Sequence, residues 1–312
     1  MSRLTILRPG LMMTVQDPGR AGLLSFGVSG SGPIDAEAME MANALVGNAP
    51  GTAALEFAHF GGTLRFDEDR VIAVAGALRE IRIDGVAVPC WTGIRIRAGQ
   101  ELSLGGLLGG VWAYLAVSGG LEVPKVLGSA ATHLRSGLGG LDGRALVAGD
   151  SLPLGPASDV GPGRSLRQIW RSRVGPIRAV PGPQEDRFDP EMQRAFWRGD
   201  WRVSARRDRM AMVLEGPQIA ARGGHDIVSD GTVAGSVQMP GSGQPIVLLS
   251  DRQTTGGYPK IATITSVDLV RLAQTPDGHP VRLRPVPREV AEDLLIANRA
   301  AFRAALEDVR GG

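Results

Sequence analysis

The 312-residue chain carries 34 lysine and arginine residues against 32 aspartate and glutamate, with 43% hydrophobic and 21% charged residues. That length sets one large or two ordinary domains, and the composition is that of a globular chain with a substantial core rather than a disordered or fibrous one. A net charge of +2 gives no general attraction to nucleic acid; the basic residues are scattered, and their densest cluster, Arg202, Arg206, Arg207 and Arg209, reads as a solvated face.

One cysteine, Cys90, excludes an intrachain disulfide, and its apolar neighbours Val88, Pro89 and Trp91 make it a structural thiol rather than a nucleophile. The opening MSRLTILRPG holds too short an apolar run for a secretion signal. Residues Leu102 to Leu121 are uncharged and long enough to span a bilayer. The pairs Gly105-Gly106 and Gly109-Gly110 punctuate that run as turns do, so it reads as two buried strands. The expected location is cytoplasmic, with neither membrane nor nucleic acid as partner.

In chain order, Leu4 to Leu11 reads as a strand and Thr14 to Arg20 as a polar loop around Pro18-Gly19. A glycine-rich passage, Phe26 to Pro33, leads into a helix with acids in its first turn (Asp35, Glu37), an apolar face of Met39, Ala42, Leu45 and Val46, and a stop at Gly47-Asn48. The passage lacks the Lys-Ser/Thr ending of a P-loop. From Ala53 to Leu154 short β runs follow one another: Thr63–Phe66, Val71–Ala75, Glu80–Ile83 and Ile94–Arg97, with a hairpin signalled by Asp84-Gly85. Many short strands with turn punctuation argue for a barrel or sandwich.

Pro153 to Gly163 is poor in large apolar residues and marks a boundary, giving domains 1–160 and 165–312. The second half opens with a strand, Ile177–Val180, and a turn, Pro181-Gly182-Pro183. A helix is capped by Asp189 with Pro190 in its first position and ends at Trp197 or Gly199. Strands are expected at Met210–Leu214, Ser236–Met239 and Ile246–Leu249. A C-terminal helix, Arg288–Val309, carries a stripe of Val290, Leu294, Leu295, Phe302, Leu306 and Val309.

The stretch Ser250–Thr263, SDRQTTGGYPKIAT, gathers more polar function behind an apolar strand than a turn requires, and is the candidate site. Only two of the 34 basic residues are lysines, Lys125 and Lys260. Each follows Gly-Gly, a short spacer and Pro. Where arginine has replaced lysine almost everywhere, a retained lysine suggests a position that needs a compact ammonium able to shift its pKa or deliver a proton. The structural alternative is a surface hairpin in which Asp251 and Arg252 pair, Tyr258 packs and Lys260 is solvated. The histidines His59, His133, His225 and His279 are isolated, so no metal is expected.

Taken as an ordered set, Thr14-Val15-Gln16-Asp17, Gly30 to Asp35, Ala42 to Asn48, Ala54-Leu55-Glu56, Pro181-Gly182-Pro183-Gln184, Leu214-Glu215-Gly216-Pro217 and Asp251 to Lys260 resemble the KipA family. That family is also known as the C component of 5-oxoprolinase, as allophanate hydrolase subunit 2, or as the biotin-dependent carboxyltransferase family. The resemblance implies a mainly β chain of two cyclophilin-like β-barrel domains with a few helices. It implies a complex with a KipI-like subunit (the B component of 5-oxoprolinase, or allophanate hydrolase subunit 1) and a LamB/YcsF-like subunit, the A component, that opens 5-oxoproline to glutamate at the expense of ATP. Two alternatives come with it: a carboxyltransferase acting on urea or allophanate with carboxybiotin, and a non-catalytic regulator that sequesters a KipI-like protein. Two departures bear on substrate identity. Arg209-Met210-Ala211-Met212-Val213-Leu214-Glu215-Gly216 stands where the family reads Arg-Met-Gly-Tyr-Arg-Leu-Glu-Gly, and Gly22-Leu23 replaces an aromatic.

An amide carbonyl is a poor electrophile and its nitrogen a poor leaving group. A site for it needs a cation or donors on the oxygen, an acid for the nitrogen and an anchor for any substrate carboxylate. Lys260 suits either of the first two roles. Asp251 and Tyr258 complete the candidate catalytic set, and Arg252, Gln253, Thr255 and Gly257, with Gln16, Asp17 and Arg20, are the candidate substrate contacts. Asn43 and Glu56 read as internal hydrogen-bonding residues. With no P-loop and no biotin attachment sequence in the chain, ATP is expected to be used by the complex at a site the sequence does not locate.

Overall fold

The structure, a computed structural model, describes residues 2–77, 80–172 and 174–311. It divides into two compact units, Met1–Arg20 with Ser31–Trp170 and Ala301–Gly312, and Ala21–Gly30 with Arg171–Ala300. Each is built on one barrel-like sheet, so the chain is mainly β, as expected.

The first unit holds a nine-stranded sheet of β1 (Arg3–Gln16), β2 (Ala54–Phe66), β3 (Arg70–Gly76), β4 (Ile81–Ile83), β5 (Val86–Val88), β6 (Ile94–Ile96), β7 (Glu101–Gly106), β8 (Trp112–Val117) and β9 (Ser151–Pro153). Three register shifts along β1, between Ile6 and Thr14, bend it against β2, which is how a long strand follows a curved sheet. The β4–β5 hairpin turns through Asp84-Gly85, where both residues have positive φ, as the sequence predicts. β3 and β8 are buried at every position because both of their faces are covered. Ile72, Val74, Leu115 and Val117 face the interior with Phe57 and Leu64. Their alternates Ala73, Ala75 and Ala116 are small, and α1 (Ala36–Leu45) packs on them through Met39, Met41, Ala42 and Leu45. Asp35 caps α1 by accepting from Ala38 N at 3.1 Å.

In the second unit the strands are β10 (Ile177–Pro181), β11 (Trp201–Arg207), β12 (Ala211–Glu215), β13 (Asp230–Gly231), β14 (Ser236–Gln238), β15 (Ile246–Leu248), β16 (Thr255–Gly256), β17 (Lys260–Ile264), β18 (Pro280–Val281) and β19 (Leu283–Pro285). Eight of them form a sheet in the order β18-β11-β12-β15-β14-β17-β10-β19, and β13 and β16 form a separate two-stranded ribbon. The two edge strands of the large sheet are separated in the chain by Arg282 alone. One segment therefore covers both edges, pairing antiparallel with β11 and parallel with β10, and no long edge is left open to other chains. Helices α2 (Pro190–Arg198) and α3 (Ser266–Ala273) complete this unit, and α4 (Arg288–Gly311) ends the chain.

Several sequence expectations are corrected. Thr14, Val15 and Gln16 are not loop but the end of β1, paired with Glu56, Leu55 and Ala54. Asp189 holds the N-cap position of α2 without a capping side-chain bond and pairs with Arg222 instead. The stripe of α4 is buried only at Phe302, Leu306 and Val309, while Val290 is 40% exposed. β11, β17 and α3 were not anticipated: β11 is interrupted by arginines, and β17 begins inside the stretch expected to be loop.

A buried carboxylate locks α3 to β10. Asp268, wholly buried at its side chain, accepts from Arg178 N at 2.8 Å, from Arg178 Nε at 2.5 Å and Nη2 at 2.9 Å, and from Arg271 Nη1 at 2.5 Å. Burial by itself raises its pKa, but the bonds from Arg178 and then Arg271 outweigh burial and hold it below the ordinary carboxylate value. A depressed folded-state pKa means that this stabilisation is complete above about pH 3.9, the unfolded value, and is lost as pH falls through the folded pKa. Asp268→Asn is expected to cost about 3–5 kcal/mol at neutral pH. It should also flatten the loss of stability in acid, both read from urea midpoints measured between neutral and acid pH.

Candidate functional site

The stretch after β15 is organised by buried polar contacts rather than by a simple turn. Asp251 accepts from Arg209 Nε at 3.0 Å and Nη2 at 2.9 Å, both residues being buried. It thus pairs with Arg209 and not with its neighbour Arg252. Ser29 Oγ donates to Ser250 O at 3.2 Å. Arg252 is half-buried, its Nε lacks a hydrogen-bond partner, and burial lowers its pKa. Gln253 Nε2 donates to Gln238 Oε1 at 3.0 Å, and its carbonyl accepts from Thr232 Oγ1. Thr255 and Tyr258 are exposed.

Lys260 is the first residue of β17, and its side chain is 4% exposed. Its ammonium donates to Asp230 Oδ2 at 2.6 Å. Gln184 Nε2 donates to the same oxygen at 3.2 Å, while Gln184 Oε1 accepts from Lys260 N at 3.1 Å. The hydrogen bond from Lys260, followed by that from Gln184, holds the Asp230 carboxyl below its ordinary value. Lys260 faces Gln238 across the β14–β17 ladder, next to a register shift, so both side chains lie on one face of the sheet. Gln238 is buried, and its Nε2 has no hydrogen-bond partner.

Two glycines allow this crowding. A Cβ on Gly182 would lie 2.1 Å from Lys260 O, and one on Gly256 would lie 2.1 Å from Gln238 Nε2. Lys125, by contrast, is exposed in a loop, so the two Gly-Gly and Pro-Lys segments lie in different local structure.

The candidates in the first unit form a second, inward-facing cluster. Asp17 accepts from Gly19 N at 2.9 Å, which is the expected turn. It also accepts from Ser129 Oγ, from Ala130 N at 2.7 Å and from Ala131 N at 3.2 Å. Arg20 donates to Val126 O at 3.1 Å and Ala131 O at 2.8 Å. Gln16 Nε2 donates to Thr14 Oγ1 at 3.0 Å and Thr132 O at 3.1 Å, leaving its buried Oε1 without a partner. Nearby, Tyr114 OH donates to Glu56 Oε2 at 2.7 Å and accepts from Asp35 N at 2.7 Å. Burial, then the charges of Glu56 and Asp35, push the phenol pKa up. Asn43 is bonded to Thr52 O and to Asn48, so Glu56 and Asn43 are internal hydrogen-bonding residues.

Gln184, Gln238, Asp230 and Arg209 were not among the sequence candidates. Gln184 lay in the Pro-Gly-Pro-Gln turn and Asp230 in an Asp-Gly pair, signals of turns rather than of a site. Among the described residues no group of three or more His, Cys, Asp or Glu is placed to hold a metal ion. None of their helices is long and apolar enough to cross a membrane.

The carboxyltransferase domain, subdomain A and B family matches residues 26–285. The chain belongs to this family. It is 44% identical to the 5-oxoprolinase C-subunit of Escherichia coli over 89% of each chain, and 37% identical to the 5-oxoprolinase C-subunit of Haemophilus influenzae over 90% of each. The crystal structure of Kluyveromyces lactis urea carboxylase superposes on 97% of this chain with a TM-score of 0.89 and 28% identity. The chain spans 29% of that yeast protein.

The choice of Arg209 over Arg252 as partner of Asp251 is open to test. Arg209→Met leaves a buried carboxylate without its guanidinium and is expected to cost about 3–5 kcal/mol, whereas Arg252→Met should cost less than about 1 kcal/mol. Chemical denaturation of the two variants measures the difference.

Proposed function

We propose that this chain is the C component of a 5-oxoprolinase-type complex, which opens the lactam of 5-oxoproline to glutamate with ATP. The observation that carries the reading is the identity to two proteins named as the C-subunit of 5-oxoprolinase over about nine-tenths of each chain. The partners in this reading are a KipI-like subunit and a LamB/YcsF-like subunit.

The residues of the second unit support a chemical role. The Lys260 ammonium is buried and held by Asp230, and Gln184 fixes the Lys260 backbone, a placement suited to a donor that takes up negative charge on the lactam oxygen. The unpartnered Gln238 Nε2 supplies a second donor on the same face, and Arg252 an anchor for the substrate carboxylate. Gln253, Thr255, Gly257 and the exposed Tyr258 form the rim. Asp251, bound to Arg209, positions the loop. In the first unit, Asp17 and Arg20 hold residues 126–131, and Gln16 is wholly buried.

ATP phosphates do not fit the N-terminus of α1. The amides of Ile34 and Ala38 are taken by Glu56 and Asp35, and two buried carboxylates repel a polyphosphate. No step of the chemistry assigned to this chain passes through ATP, which falls to the partner subunits in this reading.

A carboxyltransferase acting on urea is the second reading, supported by urea amidolyase of Lachancea kluyveri, 31% identical over 97% of this chain. The chain covers only 18% of that protein, so the resemblance reaches one region of a larger enzyme.

The co-expressed complex is expected to release glutamate from 5-oxoproline only with ATP. Lys260→Met should lower kcat about 10²–10³-fold, and Lys125→Met should leave it unchanged. No turnover with every subunit present, or biotin- and bicarbonate-dependent turnover of urea instead, contradicts the reading.

A further inference from the structure

We propose that Lys260 Nζ and Gln184 Nε2 form a carboxylate-binding site, and that Asp230 is its resident occupant, exchanged for the carboxylate of a bound small molecule. Both donors converge on a single carboxylate oxygen, Asp230 Oδ2, at 2.6 and 3.2 Å.

The two sides of this contact are built differently. The donors belong to the barrel. Lys260 is 4% exposed on β17, and Gln184 is tied to it twice, through Gln184 Oε1 and Lys260 N at 3.1 Å and through Gln184 N and Lys260 O at 3.3 Å. The acceptor lies on the two-residue strand β13, outside the eight-stranded sheet, and its side chain is 50% exposed. Around it Val228 and Val233 are exposed as well. A half-exposed carboxylate leaves an ion pair at little cost because water replaces the lysine, whereas a buried ammonium left without an acceptor is strongly destabilised. The contact therefore favours exchange of one acceptor for another over simple opening.

Gln238 strengthens the case for a ligand. It lies opposite Lys260 in the ladder, it is buried, and its Nε2 has no partner even with Asp230 in place. Asp230 satisfies the ammonium and Gln184 but leaves this donor unmet, and a ligand with more than one acceptor oxygen meets both. Asp230 Oδ1 is turned back to Gly231 N at 2.8 Å.

The identity of the ligand rests on the function proposed above. Hydrolysis of the lactam converts the carbonyl carbon held at Lys260 into the γ-carboxylate of glutamate. The occupant of the site at the end of the reaction is then a carboxylate of the same kind as Asp230, and return of Asp230 to Lys260 expels it.

The two lysines make the test direct. In the full chain, reductive methylation with formaldehyde is followed by mass spectrometry at Lys260, with exposed Lys125 as internal control, in the wild type, Asp230→Asn and Asp230→Ser. Saturating acetate should slow labelling of Lys260, but not of Lys125, in both variants. The acetate concentration for half-protection should be at least about fivefold lower than in the wild type, the factor equivalent to removing an exposed ion-pair competitor being the lower bound for a buried ammonium. Acetate that leaves Lys260 labelling unchanged in both folded variants, or protects the two lysines equally, overturns the proposal. Glutamate is then compared with acetate in Asp230→Asn. Protection by acetate without protection by glutamate keeps the carboxylate site and removes the assigned product, so the two readings fail separately.

Discussion

An ammonium buried against a β-sheet must keep an acceptor, and the polar contacts around the start of β17 meet that requirement. An exposed charge gives up its ion-pair partner at little cost, whereas a buried charge left without its partner is strongly destabilising. Lys260 belongs to the second class and Asp230 to the first. The barrel fixes the cation by strand pairing on both sides, β14 along one edge of β17 and β10 along the other. Gly182 and Gly256 make room for backbone and amide to approach it. The anion comes from an appended ribbon. That asymmetry separates this pair from Arg209–Asp251 and from Asp268 with Arg178 and Arg271, in which the partners are shielded together and the role is to hold loop and helix in place.

Much of the fold was legible in the sequence because its signals were local. The apolar run Val71–Ala75, the Asp84-Gly85 turn and the acidic start of α1 each depend on a few neighbouring residues. What was missed depends on distant ones. β17 was hidden because its first residues carry the polar chemistry of the candidate site, and β11 because Arg202, Arg206 and Arg207 interrupt its apolar run. The outer half of α4 keeps a helical period yet exposes Val290 and Ile296, since periodicity states which side chains share a face and not whether anything covers it.

The site was legible in part for the same reason. Scarcity of lysine singled out Lys260 and Lys125 alike, and of the two Lys260 is buried while Lys125 is exposed in a loop. The partners were not readable. Gln184 lies 76 residues from Lys260 and Asp230 lies 30 away, and each sits in a turn-forming sequence that explains itself without any site. Asp251 illustrates the converse. Adjacent to Arg252, it invites a neighbour pairing, yet Arg209, 42 residues away, takes it with two hydrogen bonds. The Arg-Met pair at positions 209–210, part of the family motif, thus contributes through its arginine to positioning the candidate loop.

The central claim is that chemistry in this chain is centred on the Lys260 ammonium. A crystal structure of the assembled complex with 5-oxoproline and a non-hydrolysable ATP analogue tests it most directly. The account predicts density for the lactam within hydrogen-bonding distance of Lys260 Nζ and Gln238 Nε2, with the Asp230 carboxylate moved off the ammonium. Substrate density elsewhere, with the Lys260–Asp230 contact intact and Gln238 still without a partner, would contradict it.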